Sequence, residues 1–96
     1  MRAASRIAIL GIPMDLGAGR RGVDMGPSEL RLARLARVIE GLGHEVDDLG
    51  NVDVPVPEAI DGSDPLVFAG AIAEVCRLTY VRLRDLPAGV IPVSLG

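Results

Sequence analysis

Three short apolar runs divide this chain, and two longer stretches with helical spacing separate them. Arg6-Ile7-Ala8-Ile9-Leu10-Gly11-Ile12 is almost continuously apolar and stops at Pro13, which is the pattern of a strand covered on both faces. His44-Glu45-Val46-Asp47-Asp48-Leu49-Gly50 carries too many acids for a central strand and predicts a short one near a sheet edge. Val90 to Leu95 is the third apolar run and predicts another buried strand, interrupted early by Pro92.

Between the first two runs, Pro27 suits the first position of a helix, where its missing N–H costs nothing, and Glu29 falls in the first turn. Leu32, Leu35, Ala36, Ile39 and Leu42 then repeat at i, i+3, i+4 spacing, so a single amphipathic helix of about four turns is expected, stopped by Gly41 or Gly43. A second helix is predicted from Leu66, with its stripe on Leu66, Ala69, Ala73, Cys76, Tyr80 and Leu83 and its end at Pro87 and Gly89. Pro13 to Gly26 holds four glycines after Pro13 and no sustained period, so it reads as an ordered loop at a strand end, a common place for function. Asn51 to Pro65 reads as a loop through its prolines and acids.

The order is therefore βαβαβ, an alternation that implies parallel strands joined by right-handed crossovers in an open α/β sheet. Ninety-six residues allow one small domain at most. With 49% hydrophobic residues but one Phe, one Tyr and no Trp, the core must be aliphatic. The formal charge of −3 hides an asymmetry: residues 1 to 37 hold seven Arg against Asp15, Asp24 and Glu29, while residues 38 to 96 hold three Arg against ten acids. The arginines are spread at helical spacing without interleaved aromatics, which excludes a nucleic-acid tract. No run approaches the roughly 20 apolar residues of a membrane span, and no charged-then-apolar leader is present, so a soluble, cytoplasmic protein is expected. Cys76 alone excludes an intrachain disulfide and reads as a small buried hydrophobe in a reducing compartment.

Candidate chemistry is sparse. Gly17-Ala18-Gly19-Arg20-Arg21-Gly22 matches GxGxxG, but five residues separate it from the strand and the helix opens only at Pro27, so the pyrophosphate cradle of a dinucleotide fold is not formed. Arg20 and Arg21 offer a planar fork of donors for a carboxylate; the alternative is that one pairs with Asp15 or Asp24 and holds the loop shut. His44 has no second His or Cys at ligand spacing, and a metal site needs several converging ligands. Asp47, Asp48, Asp53 and Asp61 do not have calcium-loop spacing and read as a solvated acidic surface.

Met14-Asp15-Leu16-Gly17, Arg20-Arg21-Gly22-Val23-Asp24-Met25-Gly26-Pro27-Ser28 and Leu30-Arg31, with Asp48-Leu49-Gly50, Val54-Pro55 and Ile91 to Gly96 in register behind them, resemble the bacterial arginases of the ureohydrolase family. The likeness spans the chain, and residues 11 to 31 carry most of its specificity. Agmatinases share the Gly-Pro helix start but usually place Arg-Pro-Gly in the loop, so Arg20-Arg21-Gly22-Val23 points toward arginase.

The resemblance implies an α/β chain, the N-terminal βαβαβ part of a three-layer parallel-sheet arginase-like fold, with residues 1–96 an incomplete part of a single domain. It implies that the complete enzyme hydrolyses L-arginine to L-ornithine and urea with two manganese ions, and that it assembles as a homo-oligomer, a trimer or hexamer. Binuclear metal centres of this kind lower the pKa of bound water and stabilise charge in the tetrahedral intermediate. The family's Gly-Gly-Asp-His, Asp-Ala-His and Ser-x-Asp-x-Asp motifs are absent from these residues. No catalytic or metal residue is therefore assigned, no manganese is expected to bind the fragment, and the fragment alone is expected to be inactive. Only Arg20 carries over, as a substrate-cleft residue near the mouth of the active site. The alternatives are a non-catalytic module that docks on and completes or regulates an arginase-like partner, another guanidino-hydrolase such as agmatinase, and, behind these, a small nucleotide-binding domain.

Overall fold

The computed structural model describes residues 4–16, 22–55 and 66–96. Three strands, β1 (Arg6–Gly11), β2 (Glu45–Asn51) and β3 (Val90–Leu95), form one sheet in the order β2-β1-β3. Both pairings are parallel. Two helices, α1 (Gly26–Leu32) and α2 (Leu35–Gly41), follow a 3-10 turn at Val23–Met25 and lead into β2, while α3 (Val67–Arg84) connects β2 to β3. The expected βαβαβ alternation and the edge position of β2 are thus present.

The apolar run of β1 earns its central place. Ala8, Ile9 and Leu10 are all buried, and successive residues of a strand point to opposite faces, so both faces are covered. Leu10 belongs to a core with Val52 and Val75 of α3, joined by Met14, Leu49 and Leu78. Ile9 lies on the other side, beneath Leu35 and Ala36 of α2. Helix, sheet and helix make three layers.

Three expectations need correction. The helix expected from Pro27 to Leu42 is two seven-residue helices, broken where Arg34 adopts the left-handed conformation at φ 62° and ψ 44°. The break turns the second half, so Leu35, Ala36 and Ile39 are half-buried while Leu32 and Leu42 at the two ends of the supposed stripe are 82% and 73% exposed. On α3 the stripe is displaced: Leu66, Ala69, Ala73, Cys76 and Tyr80 are exposed, and the face toward the sheet is carried by Val75 with Leu78 and Leu83. Nearly every turn of α3 holds apolar residues on more than one side, so spacing alone does not select the face. Cys76 is accordingly exposed rather than a core residue.

Within the described residues β3 is not the buried strand expected, since Ile91, Pro92 and Ser94 are exposed and only Leu95 is buried, and Pro92 does not interrupt it. In a parallel ladder a residue donates to and accepts from the same neighbour, and alternate residues face opposite sides. Leu95 accepts from Ile12 N–H of the β1 side at 2.8 Å, so Ile91, Val93 and Leu95 bond toward β1. Val90, Pro92 and Ser94 therefore face away from β1, so the missing N–H of Pro92 costs the β1–β3 ladder nothing.

Candidate functional site

In open parallel sheets, sites form beyond the carboxyl ends of the strands. Here those ends are Gly11 of β1, Asn51 of β2 and Gly96 after β3, and α1 begins directly over them. The approach is too close for side chains. A Cβ on Gly11 would collide with Oδ1 of Asn51 and lie 3.0 Å from Cβ of Pro27, and a Cβ on Gly26 would lie 2.7 Å from the carbonyl oxygen of Gly96. Glycine at 11 and 26 is what seats the helix start against two strand ends at once. Pro27 is fully buried in that seat and pre-sets the first helical turn.

Arg31, one turn further on, ties α1 to β2. Its Nε and Nη2 donate to the two oxygens of Asp48 at 2.8 and 2.9 Å, Nη2 also donates to the carbonyl of Gly50 at 2.9 Å, and Nη1 donates to Oδ1 of Asn51. Asp48 Oδ1 also accepts the N–H of Gly50 at 2.9 Å. The planar guanidinium fork suits this two-point grip on a carboxylate. Hydrogen bonds from Arg31 hold the Asp48 carboxyl below the usual carboxylate range, with partial burial opposing and the Gly50 N–H and the nearby positive charge assisting.

The strand supplies its half of the clasp through an irregularity. Ile9 pairs with Asp48 and Gly11 with Asn51, so β2 carries one residue more than β1 across this step. Gly50 takes φ 79° within it. Such a bulge re-aims neighbouring groups, and here it presents the Asp48 carboxylate, the Gly50 carbonyl and the Asn51 amide to one guanidinium.

The loop between β1 and α1 is anchored at both described ends. Asp15 is buried and accepts the N–H of Gly22 at 3.2 Å, while Met25 N–H donates to the Gly22 carbonyl at 3.1 Å. Arg20 and Arg21, the proposed cleft residue and its neighbour, lie outside the described residues, as does Asp61. His44 accepts from Ser5 N–H through Nδ1 at 3.2 Å, joining the starts of β1 and β2 far from the strand ends. Asp47 pairs at the surface with Arg6 at 3.4 Å. Asp48 departs from the expected solvated acidic surface, because Arg31 claims it. The sequence held both halves of that clasp as separate motif fragments, Leu30-Arg31 and Asp48-Leu49-Gly50, with nothing in their spacing to join them.

Two clefts flank the sheet. One, of about 320 Å³, lies between the α1–α2 corner and the sheet and is lined by Ile9, Leu35, Arg34, Arg37 and the Arg31–Asp48 pair. The other, of about 370 Å³, is almost wholly apolar and runs between α3 and the segment after β1, past Ile12, Met14, Val75 and the exposed Cys76 and Tyr80. Among the described residues no group of three or more His, Cys, Asp or Glu side chains converges to hold a metal ion. The described residues thus do not fit manganese. No described helix is long and apolar enough to cross a membrane.

The model of the arginase family matches residues 5–96. An arginase from Bacillus caldovelox is 51% identical over 93 residues, a span covering 94% of this chain and 31% of that protein. An arginase from Brucella melitensis is 52% identical over 90 residues, covering 92% and 29%. The crystal structure of arginase from Bacillus cereus superposes with a TM-score of 0.74 at 33% identity, covering 94% of this chain and 29% of that one. The chain thus spans about a third of the length of the curated relatives it matches, and it corresponds to their N-terminal part.

Proposed function

Since this chain belongs to the arginase family, we propose that it is the N-terminal βαβαβ segment of a single-domain arginase which, when complete, hydrolyses L-arginine to L-ornithine and urea with a binuclear manganese centre. The observation that carries this reading is the seat at the strand ends. The family-like residues Gly26, Pro27, Arg31, Asp48 and Gly50, scattered in sequence, converge there on the carboxyl edge of the sheet. The segment contributes scaffold: it fixes the ends of β1 and β3 and anchors residues 12–16 and 22–25 beside them. Metal ligands and the groups that read the substrate's α-amino and α-carboxyl are supplied by other parts of the complete enzyme. The complete protein is a cytoplasmic homo-oligomer in this reading, and Arg20 stands at the mouth of its cleft.

The test is replacement of the corresponding N-terminal third of the Bacillus caldovelox arginase by residues 1–96. The chimera is expected to release urea from L-arginine in a manganese-dependent manner, while the 96-residue chain with added manganese releases none. A folded chimera that releases no urea from L-arginine, or a 96-residue chain that hydrolyses arginine by itself, overturns the reading. In the active chimera, Arg20→Ala is expected to raise KM for L-arginine with kcat largely retained, since steering at a cleft mouth acts on encounter rather than on chemistry.

A further inference from the structure

The cleft between the α1–α2 corner and the sheet combines an apolar floor with a positive rim. Ile9, buried in the sheet, and the half-buried Leu35 and Ala36 of α2 make the floor. Arg31, Arg34 and Arg37 line the cleft against one carboxylate, Asp48. That carboxylate is held at both oxygens by Arg31, so the pair is neutral as a unit and opposes an entering anion little. The guanidiniums of Arg34 and Arg37 have no hydrogen-bond or ion-pair partner among the described residues. Two positive charges are therefore left beside a space of about 320 Å³, within the size range of small-molecule sites.

The backbone marks the same place independently. Among the described residues Arg34 alone, glycines aside, has a positive φ, 62°, a conformation that glycine adopts without the crowding a Cβ brings. The turn between α1 and α2 requires that conformation but not an arginine, and backbone strain of this kind collects at binding and catalytic sites. We propose that the cleft binds a small organic carboxylate, its charged end shared by the planar forks of Arg34 and Arg37 and its apolar body laid on Ile9, Leu35 and Ala36. The floor favours an anion carried on a hydrocarbon over a bare ion, which gains nothing from apolar contact and gives up hydration to enter. All the residues of this site fall between Ile9 and Asp48, and the inference does not depend on the arginase reading.

The experiment titrates 3-phenylpropionate into protein labelled at its Ile, Leu and Ala methyl groups, followed by NMR, in the 96-residue chain and again in the arginase chimera. Saturable shifts centred on Ile9, Leu35 and Ala36 are expected. The uncharged 3-phenylpropionamide and inorganic phosphate are each expected to bind at least about tenfold more weakly. Arg34→Gly is the decisive variant, because it relaxes the backbone while removing the guanidinium: an about tenfold loss of affinity in a protein no less stable than the wild type separates a lost contact from a damaged fold. Arg37→Gln is expected to weaken binding by a similar factor, and Arg37→Lys to recover part of it, since the charge returns without the fork. Equal binding of the amide and the carboxylate, or phosphate binding as tightly as 3-phenylpropionate, overturns the proposal. Unchanged affinity in Arg34→Gly or Arg37→Gln does so too, as does the absence of saturable shifts at these methyl groups in both proteins.

Discussion

Arg31 serves four acceptors on β2, and the carboxylate among them decides how the clasp responds to pH. The folded-state pKa of Asp48 lies below its unfolded value, so the clasp contributes stability above about pH 4, the unfolded carboxylate range, and loses it as pH falls through the depressed folded value. Asp48→Asn removes the ionisation but keeps the shape. The variant is expected to be about 1 kcal/mol less stable at neutral pH, a modest figure because the Asp48 side chain is 39% exposed and solvent screens the pair. Denaturant titrations at a series of pH values should show the gap between wild type and Asp48→Asn shrinking toward zero below pH 4, and a gap that persists there would mean the carboxylate is not the responsible group. At this scale the sequence was only half legible. Gly26 and Pro27 announced a helix start by their chemistry, but the partner of Gly26 is the carbonyl of Gly96, seventy residues away, and no local rule connects them. Arg31 and Asp48 meet only because a bulge in β2 turns the carboxylate toward α1.

Strands were the most legible elements, since a continuous apolar run such as Ile7 to Leu10 has few other ways to be buried, and the predicted limits of β3 agree with the observed Val90–Leu95. The helices were less so. The i, i+3, i+4 repeat through Leu32 and Leu35 continues across the break, but Arg34 takes a backbone conformation that ordinarily favours glycine. Ala33 N–H and Arg34 N–H still close on Glu29 and Arg31 carbonyls, so α1 is properly terminated before α2 begins from a new direction. The corner keeps α2 over β2, and a straight continuation of α1 would carry Leu35 and Ala36 away from Ile9. The left-handed residue is therefore a strained position imposed by packing. Arg34→Gly is expected to raise stability by about 0.5–1 kcal/mol, the relief of the left-handed penalty less the entropy glycine adds to the unfolded chain. Arg34→Ala, which keeps a Cβ, should leave it unchanged. Chemical denaturation of the two variants side by side separates backbone strain from loss of the guanidinium.

The molecule as a whole exposes 6579 Å² of surface, against about 5200 Å² for an ordinary monomer of its mass. Among the described residues the buried apolar ones are few, with Leu10, Val52 and Val75 as the cluster on the α3 face, and the apolar cleft beside Met14 and Tyr80 lies open. An anilinonaphthalene sulfonate dye, which reports accessible apolar surface, is accordingly expected to brighten with the 96-residue chain and to brighten far less, per mole, with the arginase chimera. Equal fluorescence from the two would show that the cleft is not covered in the larger protein. The order β2-β1-β3 has a consequence for synthesis. The first strand made becomes the middle of the sheet, and its partners arrive late: Arg6 waits for Glu45 on one side and for Val90 on the other. At about 5–20 residues per second the second wait lasts roughly 4–17 s after Arg6 is made. For that interval Ala8, Ile9 and Leu10 lack the β3 side of the sheet that buries them, so the nascent chain passes through a stage with its most apolar strand uncovered.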